Sequence, residues 1–174
     1  MHIKNFVTRY LCSYKNLLTL SLIFSIVILG SALVSQYIFG LQPCQLCLWQ
    51  RIPYKILIPL LFLSLFLKPL FQKYICYLTV LIFAVSAAIA LFHVGVEQTW
   101  WQGLASCSQA TIPENASLED LRAILTRQPI VPCDKIAFAF LGISMAGYNF
   151  IISFIMAVFV FMMTQSISRH HLKN

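Results

Sequence analysis

The chain has 174 residues, of which 60% are hydrophobic and only 10% are charged, and its net charge is +7. Soluble domains carry about 25% charged residues, so most of this chain is predicted to lie in lipid. There is room for about four spans of ~20 residues and one sizeable loop, but not for a separate soluble catalytic domain. The basic residues form short clusters beside apolar runs, as in loops that orient a membrane protein, which argues against nucleic acid as a partner.

The first predicted span is the apolar run 16–39, which follows Lys4, Arg9 and Lys15. The run is too long for the apolar part of a signal peptide, and no small-residue cleavage site closes it. An uncleaved anchor helix is therefore expected. The second span, 52–71, is harder to identify, because its apolar core of about twelve residues makes only about 18 Å of helix against a bilayer core of ~30 Å. Lys55 and Lys68 would then snorkel to the two surfaces.

Spans over 75–94 and 140–163 complete a predicted all-α, four-helix transmembrane bundle that forms one domain. The twelve basic residues support four spans over three, because the split is seven inside and five outside instead of six and six. Four spans also put all five acidic residues outside and both termini in the cytoplasm. The predicted inside set is Lys4, Arg9, Lys15, Lys68, Lys73, Arg169 and Lys173, and the outside set is Arg51, Lys55, Arg122, Arg127 and Lys135.

Two outer loops remain, a short one over 40–51 and a long one over 95–135. Within the long loop, Ser117 followed by Asp120 is typical of a helix start, and Pro129 ends the pattern. The apolar residues of this segment share one face. It is predicted to be a short helix, either lying on the bilayer surface or packed within the loop.

Six cysteines divide between the two sides of the membrane. Cys12 and Cys76 are predicted near the cytoplasmic side as reduced, inert thiols, and the other four lie outside. In a bacterium the outer compartment is oxidising, so disulfides persist there.

Cys44 and Cys47 form a C-x-x-C motif where the chain enters the second span. Two thiols at this spacing close a small, reducible ring, and their pKa values are readily lowered. Haem attachment would need a histidine where Leu48 stands. A closed zinc site needs four ligands, and neither Cys107 nor Cys133 belongs to a second motif of this kind. Redox chemistry is favoured over a structural disulfide, and no metal is expected.

Cys107 and Cys133 flank the predicted surface helix. A structural bridge between them would add about 3–4 kcal/mol by loop entropy. Alternatively, the long polar loop presents a redox-active disulfide to a soluble protein. Two redox pairs on one face would form a relay, and a relay needs a terminal acceptor. The chain lacks a G-x-G-x-x-G nucleotide motif, and its predicted spans contain no histidine pair for haem, so a lipid-soluble quinone is the remaining carrier.

Arg51 is the first candidate for the quinone site, because it lies one helical turn after Cys47 and could donate hydrogen bonds to a quinone carbonyl. His93, at the outer end of the third span, could supply or relay a proton. Alternatively, Arg51 is an interfacial anchor, and His93 caps its helix or contacts lipid headgroups.

The chain resembles the disulfide bond formation protein B family, the quinone-linked membrane thiol oxidases of bacteria. The resemblance covers nearly the whole chain and rests on the four spans, Pro43 to Cys47, Arg51, Cys107 and the Pro132–Asp134 segment. It implies localisation in the bacterial inner membrane. It also implies that a periplasmic thioredoxin-fold dithiol oxidase of the DsbA type attacks the Cys107–Cys133 disulfide, with Cys107 as the site of the mixed disulfide.

The resemblance further implies that Cys133 exchanges with Cys44, and that Cys47 passes electrons to ubiquinone or menaquinone held by Arg51. Gln50 is a departure, because an acidic residue precedes this arginine in the best-known members. A vitamin-K-epoxide-reductase-like oxidase is less similar, because its C-x-x-C lies late in the bundle. A membrane scaffold with two structural disulfides is the non-enzymatic alternative.

Overall fold

The computed structural model describes residues 13–104, 117 and 131–173, and its long helices form a bundle. Helix α1 covers Tyr14–Tyr37, α2 Gln45–Ser64, α3 Pro69–Glu97 and α4 Met145–Lys173. All four helices are long and apolar enough to cross a membrane. The predicted all-α bundle with four spans is confirmed. The predicted surface helix after Ser117 lies outside the described residues.

Helix α2 begins at Gln45 and ends at Ser64, whereas the apolar pattern predicts a span from 52 to 71. The difference arises because a helix needs only its backbone hydrogen bonds, so polar Gln45, Gln50 and Arg51 extend it beyond the apolar core. The turn before α3 falls where Pro69 occupies the first helical turn, a position at which the missing N–H of proline costs nothing. The C-x-x-C motif consequently lies at the start of a helix.

A short antiparallel hairpin precedes α4 and is absent from the sequence-based expectation. Strand β1 covers Ala139–Phe140 and strand β2 covers Ile143–Ser144. Leu141 and Gly142 between them both have positive φ, 50° and 78°, which is the backbone of a two-residue type I′ turn. The apolar residues of the hairpin make it look like part of the last span, so α4 begins at Met145 and not at 140.

The bundle packs around one large buried apolar cluster, with α3 and α4 making the most extensive contact. Tyr54 of α2 crosses this core, and its hydroxyl is 2.6 Å from Asn149 Oδ1 and 2.7 Å from Ser153 Oγ, both on α4. Ser86 of α3 also contacts Ser153 across the core, whereas the other buried serine and threonine hydroxyls of the helices bond within their own helix, as Ser25 does to the Ser21 carbonyl oxygen. Cys76 is a free, fully buried thiol in this core. The large cluster consists of Tyr14, Leu17, Leu18, Leu22, Tyr54, Leu57, Leu61, Cys76, Phe83, Met156, Ala157, Val160 and Ile167.

Candidate functional site

Cys44 caps the N-terminus of α2. Its backbone is extended, and its sulfur accepts a hydrogen bond from the Cys47 backbone N–H over 3.4 Å. This is the position at which a side-chain acceptor satisfies one of the orphan N–H groups of a helix. Both thiols are free, and their sulfur atoms are 3.3 Å apart. The motif is therefore in its dithiol form, with the two sulfurs close enough to be joined by a small movement.

His93 of α3 packs directly against this motif. The side chain is only 3% exposed, and its Nε2 is 3.5 Å from the Cys44 sulfur. Its Nδ1 is 2.7 Å from Gln50 Nε2 on α2. Glu97, one turn further along α3, has a carboxylate oxygen 3.8 Å from His93 Nε2 and accepts a hydrogen bond from the Ser144 hydroxyl. The sequence predicts His93 as a residue of the quinone site, and the structure places it beside the first cysteine of the motif.

The environment of Cys44 favours its thiolate. The hydrogen bond from the Cys47 thiol, followed by that from His93, lowers the pKa of the Cys44 thiol to about 4, although burial acts in the opposite direction. The position of Cys44 at a helix N-terminus also lowers the pKa of its thiol, because the helix dipole stabilises an anion there. A thiolate with a low pKa is a good leaving group in disulfide exchange.

A chain of amide and hydroxyl groups connects His93 to the interior of the bundle. Asn149 Nδ2 of α4 donates to Gln50 Oε1 over 2.8 Å, and Gln50 in turn contacts His93. Tyr54 continues the chain from Asn149 to Ser153. Asn149 is not among the site residues predicted from the sequence. Its signal is an amide in the middle of an apolar span, which is costly unless it is paired.

Cys133 lies in the same buried apolar cluster as Cys44, together with Leu46 and Val96. It is disulfide-bonded and 0% exposed, whereas Cys44 is 6% exposed. Its partner is not one of the described free cysteines. Cys107, the predicted partner, lies outside the described residues. The structure thus brings Cys44, Cys47, Cys133 and His93 together.

An aromatic pair covers one side of this cluster. Trp101 stacks on Phe92 with ring centroids 5.8 Å apart, and its Nε1 donates to the Phe92 carbonyl oxygen over 2.9 Å. The close approach depends on Gly95, since a Cβ there would come within 2.0 Å of the Trp101 ring. Phe92 and Leu104 pack against the buried cysteine cluster. The aromatic pair therefore adds to the apolar packing that buries the cysteines.

Arg51 extends from α2 towards α1, where it donates to Gln36 Oε1 and to the Ala32 carbonyl oxygen. Its charge acts on Cys47, which places it within electrostatic reach of the motif. An arginine has five N–H donors, and within the described part of the chain only these two contacts engage them. The exposed apolar side chains of Leu48, Trp49 and Ile52 surround this end of α2. A flat carbonyl compound arriving from the lipid would meet free donors on an apolar surface.

A metal ion is the other ligand that this cluster could hold. The ligand atoms of Cys44, Cys47 and His93 all lie within 4.8 Å of one another. This group is one ligand short of a closed structural zinc site. The same three groups are also what thiolate chemistry requires, so their grouping does not by itself indicate a metal.

The chain resembles known proteins at the level of a family and of an individual sequence. Residues 14–163 match the family described as "Disulfide bond formation protein DsbB". The chain is also similar to an uncharacterized protein, RP370, of Rickettsia prowazekii (strain Madrid E), at 33% identity over 148 residues, which covers 84% of this chain and 86% of that protein. No solved structure matches the chain significantly.

Proposed function

This chain belongs to the DsbB family of membrane oxidoreductases that form disulfide bonds, and from that premise we propose a specific cycle for it. A reduced thioredoxin-fold dithiol oxidase of the DsbA type, in the periplasm of a bacterium, is reoxidised by the long outer loop. The electrons pass through the C-x-x-C motif to a membrane quinone. The enzyme lies in the inner membrane with both termini in the cytoplasm.

One observation carries this proposal. Cys133, in a disulfide, and Cys44, a free thiol with a lowered pKa, pack in one buried cluster. A structural disulfide has no need of a reactive thiolate beside it. The pairing supports exchange between the loop cysteine and the motif, which is the step that connects a soluble partner to the membrane.

The relay then balances as follows. A partner thiolate attacks Cys107 of the oxidised loop and releases Cys133, which attacks Cys44 of the oxidised motif and releases Cys47 as a thiolate. The second partner thiol displaces Cys107, so the partner leaves as a disulfide. Cys107 attacks Cys133 and releases Cys44. The loop is again a disulfide, and the motif is a dithiol, which matches the described redox states of Cys44, Cys47 and Cys133.

The dithiol must lose two electrons and two protons to become a disulfide again. A bound ubiquinone or menaquinone supplies an acceptor for both. Arg51 is the residue that would hold and polarise its carbonyl oxygen. Among the described residues it keeps donors beyond those engaged by Gln36 and Ala32, it adjoins an apolar, exposed surface, and it lies near Cys47. His93, whose Nε2 is 3.5 Å from the Cys44 sulfur, is in position to stabilise the Cys44 thiolate by a hydrogen bond.

Trapping the first intermediate tests the order of the relay. In Cys133→Ala the thiol that follows Cys107 in the relay is missing, so a mixed disulfide between Cys107 and the partner should accumulate when reduced partner is added. Non-reducing electrophoresis and peptide mass spectrometry would identify it. Cys76→Ala, which removes a buried free thiol outside the relay, is the matched control and should trap nothing. If the trapped partner were bonded to Cys44 instead, the loop pair would be structural and the proposal wrong.

A further inference from the structure

Three helices contribute to one continuous line of hydrogen bonds that ends on the redox motif. Tyr54 donates to Asn149 Oδ1 over 2.6 Å, Asn149 Nδ2 donates to Gln50 Oε1 over 2.8 Å, and Gln50 Nε2 is 2.7 Å from His93 Nδ1. Gln50 and Tyr54 are buried, and among the described residues no buried polar side-chain atom lacks a partner. The line runs from the core of the bundle to Cys44.

The direction of these bonds determines where His93 carries its proton. The hydroxyl of Tyr54 occupies the acceptor end of the Asn149 amide, so its NH₂ group turns to Gln50. The Gln50 amide then turns its own NH₂ group to His93. Because Gln50 donates to Nδ1, that nitrogen must offer a lone pair, and the proton of the neutral ring lies on Nε2.

The Nε2–H group has one acceptor within reach among the described residues. The Cys44 sulfur is 3.5 Å away, within the longer range of bonds to sulfur, while the Glu97 carboxylate oxygen at 3.8 Å is too far for a hydrogen bond. The titratable groups that face His93 are Cys44 at the start of α2 and Glu97 on its own helix, with Cys47 just beyond Cys44. His93 therefore donates to sulfur, in the presence of one nearby carboxylate.

We infer that Gln50 and Asn149 are positioning residues, which hold the His93 Nε2–H group on the Cys44 sulfur so that Cys44 departs as a thiolate. The inference rests on the proposed function, because the Cys44 thiolate is the leaving group of one proposed step. In that step Cys107 attacks Cys133 and displaces Cys44. The bond between Cys133 and Cys44 breaks, its electron pair stays on Cys44, and the hydrogen bond from His93 stabilises the charge.

Simple satisfaction of buried polar groups does not account for this arrangement. Two amides at positions 50 and 149 within apolar helices cost free energy that leucine at both positions would avoid. The amides exist in a line whose end is a histidine beside a reactive sulfur. A role in controlling that sulfur explains both the donor-to-acceptor direction of the hydrogen bonds and the residue at which they end.

The pH titration of thiolate ultraviolet absorbance in the full-length, reduced protein tests this, with the Cys44→Ser protein subtracted to isolate Cys44. The wild-type midpoint is expected near the lowered pKa of about 4. In Gln50→Leu the midpoint should rise by about one to two pH units, the equivalent of one lost hydrogen bond to a charged group. Asn149→Ala frees the Gln50 amide to rotate and should raise it in the same direction, by less.

Two further variants separate positioning from general damage. In Gln50→Glu the carboxylate accepts from Asn149 with one oxygen and stabilises a second ring proton, on His93 Nδ1, with the other. The Nε2 proton then stays on the Cys44 side of a doubly protonated ring, and the midpoint should stay low. Ser25→Ala removes a buried hydrogen bond in α1 away from the line and should leave the midpoint unchanged.

An unchanged midpoint in both Gln50→Leu and Asn149→Ala would overturn the inference, as would a rise in Gln50→Glu equal to that in Gln50→Leu. If Gln50→Leu failed to fold, Asn149→Ala and Gln50→Glu would still decide. The titration needs neither quinone nor partner. If the titration midpoints shifted as expected but the protein failed to reduce quinone, the proposed function would be refuted, while the positioning role of Gln50 and Asn149 would stand.

Discussion

Near the N-terminus of α2, Arg51 has a permanent charge that no neighbouring carboxylate pairs within the described residues, and this makes it the residue with the clearest test. Arg51→Gln keeps a polar group but loses the charge and the forked donor geometry. A hydrogen bond of this kind is worth on the order of 1.5–3 kcal/mol, so turnover at low quinone should fall roughly ten- to a hundredfold.

Steady-state turnover against quinone concentration would be measured beside single-turnover oxidation of the partner without quinone. The second rate should be nearly unchanged, because it depends on the loop cysteines. Lys55→Gln removes a charge one turn along the same helix from an exposed side chain and is the matched control. Equal loss of both rates in Arg51→Gln would indicate that Arg51 supports the fold through Gln36 and Ala32.

The lowered pKa of Cys44 also predicts how stability depends on pH. A free thiol has a pKa of about 8.5, while that of folded Cys44 is about 4. Between these values the reduced folded protein binds fewer protons than the unfolded chain, so its free energy of unfolding rises with pH. The contribution is complete above the unfolded pKa and is lost as the pH falls through about 4.

The oxidised motif has no such titration. Thermal unfolding followed by tryptophan fluorescence should therefore show the midpoint of the reduced form rising by several degrees, relative to the oxidised form, as the pH is raised from about 5 to about 8. A constant difference between the two forms across this range would contradict the thiolate at Cys44.

Single residues also show where reasoning from sequence alone ends. The C-x-x-C spacing is local, so Cys44 and Cys47 can be identified directly, and Arg51 follows from helical periodicity. Asn149 meets Gln50 across 99 positions of the chain, and nothing in the composition or spacing of either segment indicates that contact. The contact depends on how α2 and α4 pack, which is a property of the whole bundle.

Among the helices, α3 carries a glycine whose replacement is predicted to disturb the cover over the cysteines. Gly95→Ala would put a Cβ into the Trp101 ring, so the ring must move off Phe92 and lose its hydrogen bond to the Phe92 carbonyl oxygen. The cysteine cluster would become more accessible to water. We expect faster alkylation of Cys44 and a red shift of tryptophan emission.

Gly30→Ala is the natural control, because a Cβ at this position in α1 meets nothing within 4 Å. That change should be neutral or stabilise the helix by up to about 1 kcal/mol. If the two alanine variants gave the same alkylation rate, Trp101 would not be shielding Cys44.

The helix boundaries show a second limit of sequence reasoning. Hydropathy locates the apolar core of α2 but not its start, because Gln45, Gln50 and Arg51 are polar and yet helical. The residue that marks the start of α2 is its N-cap, Cys44. Cysteine is not a common N-cap, so its presence in the sequence does not indicate a helix start. At the other end of the bundle, Phe140 and Leu141 belong to a hairpin whose apolar side chains imitate the beginning of a span.

For the whole molecule, the decisive test is the orientation of the bundle in the membrane. Reporter fusions after Lys68, in the turn between α2 and α3, and after Lys173 should read cytoplasmic, while an insertion at Ser117 should read periplasmic. The distribution of basic residues supports this orientation. A periplasmic signal at Lys68 would place the C-x-x-C motif on the reducing side and exclude the relay.

The burial of Cys133 and Cys44 has a consequence for which reductants the enzyme can consume. Attack on a disulfide requires a thiolate to approach one sulfur along the S–S axis, so its rate depends on access. Cys133 exposes none of its surface and Cys44 almost none. Glutathione and other small thiols, which diffuse freely and recognise nothing, are therefore kept away from both sulfurs by packing alone. We expect direct attack of such thiols on Cys133 or Cys44 to be slow, so that in the proposed relay electrons enter through Cys107.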